Sequence, residues 1–182
     1  MSIRAAVNAQ IAAGRLYQVL PAIPCDPVER TLVISEDINQ LIEGPWDSCT
    51  MERRANRLRA DLEAFVKGDV IGVSLTPFAH KTAYMGRLDA PKDEVWDIRS
   101  RDPNPGLRVF GRFAEIDLFI GFTWRPRSVE WATRQPLGNG TSLEWHFEII
   151  ECQQKWVSLF SKYTPIHGAE IHDYISSNAF SV

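Results

Sequence analysis

The sequence is short of several things that would announce a function. No uninterrupted apolar run approaches the ~20 residues of a membrane-spanning helix, so no bilayer span is expected. Cysteines are few: Cys25, Cys49 and Cys152 are odd in number, far apart and without metal-ligand spacing. They read as reduced thiols in a cytoplasmic protein, not as a disulfide framework or a zinc site. Arg4 is not followed by a continuous apolar region, so no secretory leader is expected. Glycine-rich phosphate loops, G-x-S-x-G elbows and EF-hand loops are missing, and no repeat or low-complexity stretch occurs. Among the histidines, His167 and His172 are five apart, which does not align them on one helical face, and no cysteine or acid pair completes a metal set. Neither a metal nor an organic cofactor is expected. A formal charge of −3 gives no general attraction to nucleic acid or to anionic membranes.

What is present is an uneven distribution of charge and one strand-rich stretch. Between Arg99 and Arg127 lie Arg99, Arg101, Arg108, Arg112, Arg125 and Arg127 against the acids Asp102, Glu115 and Asp117, while acids gather in Glu29–Glu43 and Glu144–Glu151. The result is a basic patch on a mildly acidic body. The same stretch reads as three strands, Val95–Arg99, Leu107–Phe113 and Asp117–Arg125, with turns at Asp102–Gly106 and Ala114–Ile116. In the middle strand, alternation sets Leu107, Val109, Gly111 and Phe113 on one face and Arg108, Phe110 and Arg112 on the other. In the last strand it groups Leu118, Ile120, Phe122 and Trp124 against Phe119, Gly121, Thr123 and Arg125. One face can thus build a core while the other presents guanidinium groups outward to phosphate or carboxylate.

Around this stretch the chain divides into an N-terminal helical arm and connector (1–28), an α+β domain (29–165) and a C-terminal tail (166–182). Apolar spacing predicts a helix over residues 2–20, followed by an extended connector at Pro21, Pro24 and Pro27. Thr31–Ser35 reads as a strand, and Ser35 as the cap of a helix running to Gly44-Pro45. A second helix begins near Thr50, with Met51, Ala55, Leu58, Leu62 and Phe65 on one stripe, and ends at Gly68. Val70–Leu75 is another strand, and Phe78–Leu88 an edge strand or a long loop. A capping box at Thr141–Glu144 opens a closing helix to about Tyr163, and Ile171–Val182 reads as a loosely docked tail. The order indicates a small antiparallel sheet with two preceding helices and a closing C-terminal helix, the helices segregated on one side.

Three segments carry a resemblance: Trp96-Asp-Ile-Arg99, Leu107-Arg-Val-Phe-Gly-Arg-Phe113 and Leu118-Phe-Ile-Gly-Phe-Thr-Trp-Arg-Pro-Arg127. Together with Thr133 and Pro136 before the closing helix, they resemble the strand signature of the RelE/ParE-like toxin superfamily, and within it the phage-derived, HigB-like branch. The element order matches over about residues 30–163, the specific residues over about 95–136. The departures are a longer chain with an N-terminal arm, and a basic end of Arg125-Pro-Arg127 in place of paired lysines. The resemblance implies a RelE-like α+β fold and a toxin–antitoxin pair. The implied activity is metal-independent cleavage of ribosome-bound messenger RNA, and the implied partners are an antitoxin protein and the ribosome.

Such a ribonuclease needs cationic groups for the transition-state phosphate and a group that moves a proton at the ribose or the leaving oxygen. Arg108, Arg112 and Arg125 are the cationic catalytic candidates, with Arg99, Arg127 and Trp124 completing an RNA- or anion-binding surface. His80 and Tyr84, with His146, are the acid–base candidates. The competing assignment pairs Arg99 and Arg108 with Asp97, Asp102 or helix acids as structural ion pairs. Two functions therefore stand side by side: the endoribonuclease, and a non-enzymatic prophage-type module that binds a protein through the arginine face. A homodimer formed through the N-terminal arm suits the second.

Overall fold

A computed structural model describes residues 1–77, 82–127 and 143–182. Among them the fold is α+β, with four α-helices and one mixed sheet of eight strands. In chain order the elements are α1 (Ile3–Ala12), β1 (Leu16–Gln18), β2 (Thr31–Ser35), α2 (Glu36–Glu43), α3 (Cys49–Val66), β3 (Ile71–Ser74) and β4 (Met85–Arg87). Then come β5 (Trp96–Ser100), β6 (Leu107–Glu115), β7 (Leu118–Pro126), α4 (Leu143–Phe160) and β8 (Ala179–Ser181). The strand order is β1-β2-β7-β6-β5-β4-β3-β8. Strands β5, β6 and β7 form an antiparallel meander, β2 joins β7 in parallel, and β8 joins β3 in parallel. No described helix is long and apolar enough to cross a membrane.

The sheet is buried on both faces, which corrects the expectation of helices segregated on one side. The reason is visible in β2 and β7, whose runs Leu32-Val-Ile and Leu118-Phe-Ile are apolar without alternation, as strands covered twice must be. Leu32 and Ile34 join Trp96, Val109 and Phe119 under the α2 and α3 stripe of Ile38, Leu41, Leu58, Leu62 and Phe65. Val33, Phe110 and Ile120 face the opposite layer, where α4 contributes Ile149, Cys152, Trp156 and Phe160 and α1 contributes Val7.

Three local expectations differ from the structure. The first helix stops at Ala12, because Gly14 takes φ +68 and turns the chain into β1. The arm then lies on its own domain: Arg4 pairs with Glu115, and Gln10 Nε2 donates to Leu159 O at 3.2 Å. Strand β4 is an inner strand between β3 and β5, not an edge. The C-terminal segment is no loose tail, since Ile171, Tyr174 and Ile175 are buried in the α2–α3 core and β8 extends the sheet. The capping box at Thr141, together with Thr133 and Pro136, lies outside the described residues.

Alternation also fails within β7. Phe110 pairs with Thr123 but Gly111 pairs with Gly121, so Phe122 is the extra residue of a β-bulge. The phase inverts there. Trp124 falls on the side of Phe119 and the α2–α3 core, while Thr123 and Arg125 fall with Ile120 on the α4 side. The grouping of Trp124 with Leu118, Ile120 and Phe122 is thereby corrected. Because of the bulge, Arg125 shares a face with Arg108.

Candidate functional site

Register places three arginines side by side across three strands: Arg99 opposite Arg108, and Arg108 opposite Arg125. Like charges directly opposed on one face repel, so the row requires counter-charge. Asp97, wholly buried on the same face of β5, supplies it to two of them. Its carboxylate accepts from Arg99 Nε at 2.9 and 3.1 Å and makes a short bond with Arg108 Nη1. The Arg99 guanidinium lies across Gly86 of β4, where a Cβ would collide with it. Arg108 also lies over the Trp145 ring of α4, 4.7 Å from the centroid. Burial, opposed by Asp97 and reinforced by Arg99 and Arg127, holds its pKa below the ordinary arginine value.

Arg125 is served by the helix above it. Its Nε lies 2.8 Å from Glu148 Oε1, its Nη2 3.4 Å from Glu151 Oε2, and its Nη1 donates to Trp124 O at 2.8 Å. Glu148 and Glu151 share one side of α4 by their i,i+3 spacing. Burial raises the Glu148 pKa, against the lowering effects of the Thr123 hydroxyl at 2.7 Å and of Arg125. Arg112, expected beside Arg108 as an anion ligand, does something else. It is buried, lies over the Trp156 ring at 5.5 Å, and donates to the carbonyls of Asp93 and Glu94 at the end of the 3₁₀ turn Pro91–Asp93. There it satisfies orphan carbonyls and leaves no donor fork for a ligand.

At the far end of the row the balance shifts. Arg99, Arg101, Arg108 and Arg127 surround a crevice of about 20 Å³ together with Asn104 and Gly106. Arg101 Nη2 donates to Ala83 O at 2.6 Å, and the Arg127 amide to Gly106 O at 2.6 Å. The Arg101 pKa is lowered by burial and then by Arg99 and Arg127, so these cations feel one another. Among the described residues, the counter-charges acting on these arginines are Asp97 on Arg108 and Asp102 and Asp61 on Arg101. No described carboxylate pairs with the exposed Arg127 guanidinium. Among the described residues, positive charge is in excess at this crevice.

The proton-transfer candidates do not gather there. Tyr84 belongs to the α3 side of the sheet, where its buried hydroxyl donates to Asp61 O at 2.5 Å. Burial raises its pKa far above the ordinary phenol value, and its place on the α3 side keeps its hydroxyl apart from the guanidinium row. His80 lies outside the described residues, and His146 is exposed on α4. The Trp124 ring lies on the α2–α3 face of β7, opposite to the guanidinium row, and lines a cleft with Trp46. Among the described residues, no three His, Cys, Asp or Glu side chains converge to hold a metal.

Residue alternation did not reveal Arg101, Trp145, Glu148 or Glu151. One signal existed for Glu148: it interrupts the apolar stripe of Trp145, Ile149, Cys152 and Trp156, a position where a carboxylate requires a partner. No family model, curated protein or solved structure matches the chain.

Proposed function

We propose that this chain is a non-catalytic binding module, on a scaffold of RelE-like type, that holds an acidic segment of a partner protein at the rim of Arg99, Arg101, Arg108 and Arg127. The observation that supports this is the gathering of four guanidinium groups around one crevice, with Asp97 shared between two of them and no described carboxylate paired with the Arg127 side chain. Arg forks suit carboxylates geometrically. Arg99 and Arg108 are recessed, each with a side chain 11% exposed, so an entering ligand must be narrow. A carboxylate head fits that description better than a phosphodiester chain. The net charge of −3 likewise favours a short local contact over long-range capture of a polyanion.

The alternative is the ribosome-dependent endoribonuclease of a toxin–antitoxin pair that the resemblance implies. It is favoured by the exposed Arg127 at the basic end of β7 and weakened by the burial of Tyr84 and the internal pairing of Arg125. The deciding experiment has two arms. Fluorescence anisotropy compares a labelled, capped Asp/Glu peptide with a short single-stranded RNA on the full chain. A second arm induces the protein in a bacterial host and follows growth and transcript integrity. The binding reading expects peptide association that weakens about tenfold in the double variant Arg101→Ala/Arg127→Ala, with normal growth. Growth arrest with RNA cleavage, relieved by Arg127→Ala, would sink it in favour of the nuclease.

A further inference from the structure

We propose that the cleft bounded by α2, the start of α3, β7 and α4 binds an organic cation with an apolar body, the chemistry of an arginine or lysine side chain or of a small quaternary ammonium. It is independent of the arginine rim. The cleft holds about 470 Å³, room for such a group with its flanking atoms. Two indoles wall it, Trp46 and Trp124. Trp46 is fixed in place: its Nε1 donates to Leu41 O at 2.6 Å, and Gly44 lies so close that a Cβ there would come within 3.2 Å of the ring. Rigid indole faces attract cations through the ring quadrupole and supply apolar contact for a methylene stem.

The sign of the charge selects the ligand. The lining carries Asp37, Asp47 and Glu151 against Arg125 and Lys155. Both cations are committed: Arg125 to Glu148 and Glu151, and Lys155 to Asp37 at 3.4 Å, Glu151 at 3.3 Å and the Phe122 carbonyl at 3.1 Å. An anionic ligand would compete with Glu151 and Glu148 for Arg125 and with Asp37 and Glu151 for Lys155. An incoming cation meets Asp47, which is exposed and has no cationic partner among the described residues, and the outer side of Asp37, 67% exposed. A nucleotide or phosphate is therefore the wrong charge for this cleft although two tryptophans stand ready to stack.

The test is an NMR titration of the indole N–H signals on the full chain, with Trp46→Phe and Trp124→Phe assigning the two resonances. The probes are a capped Gly-Arg-Gly peptide, its citrulline counterpart, butyltrimethylammonium and AMP. Saturable shifts of both indoles are expected with the peptide and the quaternary ammonium, and none with the citrulline peptide. Asp47→Asn, an exposed change that leaves the fold intact, should weaken binding about fivefold. Tighter binding of the peptide would locate the natural source in a partner protein, and tighter binding of the quaternary ammonium in a free small molecule. Equal binding of the citrulline peptide, saturation by AMP, or no saturable shift with either cation would overturn the proposal.

Discussion

Asp97 is wholly buried and holds the Arg99 and Arg108 guanidinium groups on one carboxylate. Removing its charge leaves two largely desolvated cations facing each other, a change far costlier than losing one cation from a pair. Asp97→Asn should destabilise the fold by about 3–5 kcal/mol in urea denaturation. A loss below ~1 kcal/mol, the size of a surface pair, would mean that the two cations are neutralised by something else. The thiols make a second test at this scale. Cys152 is buried beside Thr123, and burial pushes its pKa up to about 12, whereas Cys25 and Cys49 are exposed. A thiol reagent at pH 8 should therefore label Cys25 and Cys49 in the native protein and reach Cys152 only after denaturant is added. Which face each arginine of β5 and β6 occupies was legible from alternation, and so was Asp97 as a partner. What covers that face was not, because Glu148 and Glu151 reach it only through the packing of a helix distant in sequence.

At the level of elements, the strands of the central meander and the α2–α3 pair were legible within a few residues, since each has a strong period and clear turn chemistry. The last twelve residues carry no period that sequence reading can use, yet they insert Tyr174 between Trp96, 4.6 Å between ring centroids, and Phe113, 5.4 Å. Its hydroxyl donates to the buried Glu94 at 2.7 Å. Tyr174→Ala should cost about 3–5 kcal/mol as a large core truncation. Tyr174→Phe keeps the ring and should cost about 1–3 kcal/mol, because Glu94 loses a donor inside the protein. Denaturation midpoints of the two variants separate packing from hydrogen bonding. Identical losses would assign the whole effect to the hydroxyl and leave the ring contacts without energetic weight.

For the whole molecule, one sheet serves two cores, and β2, β6 and β7 contribute side chains to both. Neither core can open without disturbing strands that the other needs. A single cooperative transition is expected, with tryptophan fluorescence and far-UV circular dichroism coincident. Val7→Asp, in the α1–α4 layer, and Tyr174→Ala, in the α2–α3 layer, should each lower that one midpoint. Two separated transitions in either variant would show the layers to be independent. The double covering could have been read from the unbroken apolar runs of β2 and β7. The order of elements points instead to helices on one side, and alternation turns the arginine face of β6 outward. That face became compatible with burial through Asp97, Glu148 and the indoles of Trp145 and Trp156.

Phe122 has no counterpart on the neighbouring strand, and this surplus residue fixes the parity of everything after it. Before it, odd-numbered positions of β7 look toward α2 and α3; after it, even-numbered ones do. Shortened by one residue there, the strand would thread Arg125 into a hydrocarbon layer and send Trp124 among the acids of α4. The separation between the indole-walled cleft and the guanidinium crevice is thus kept by a rule of counting along the chain, upstream of any contact that either of them makes.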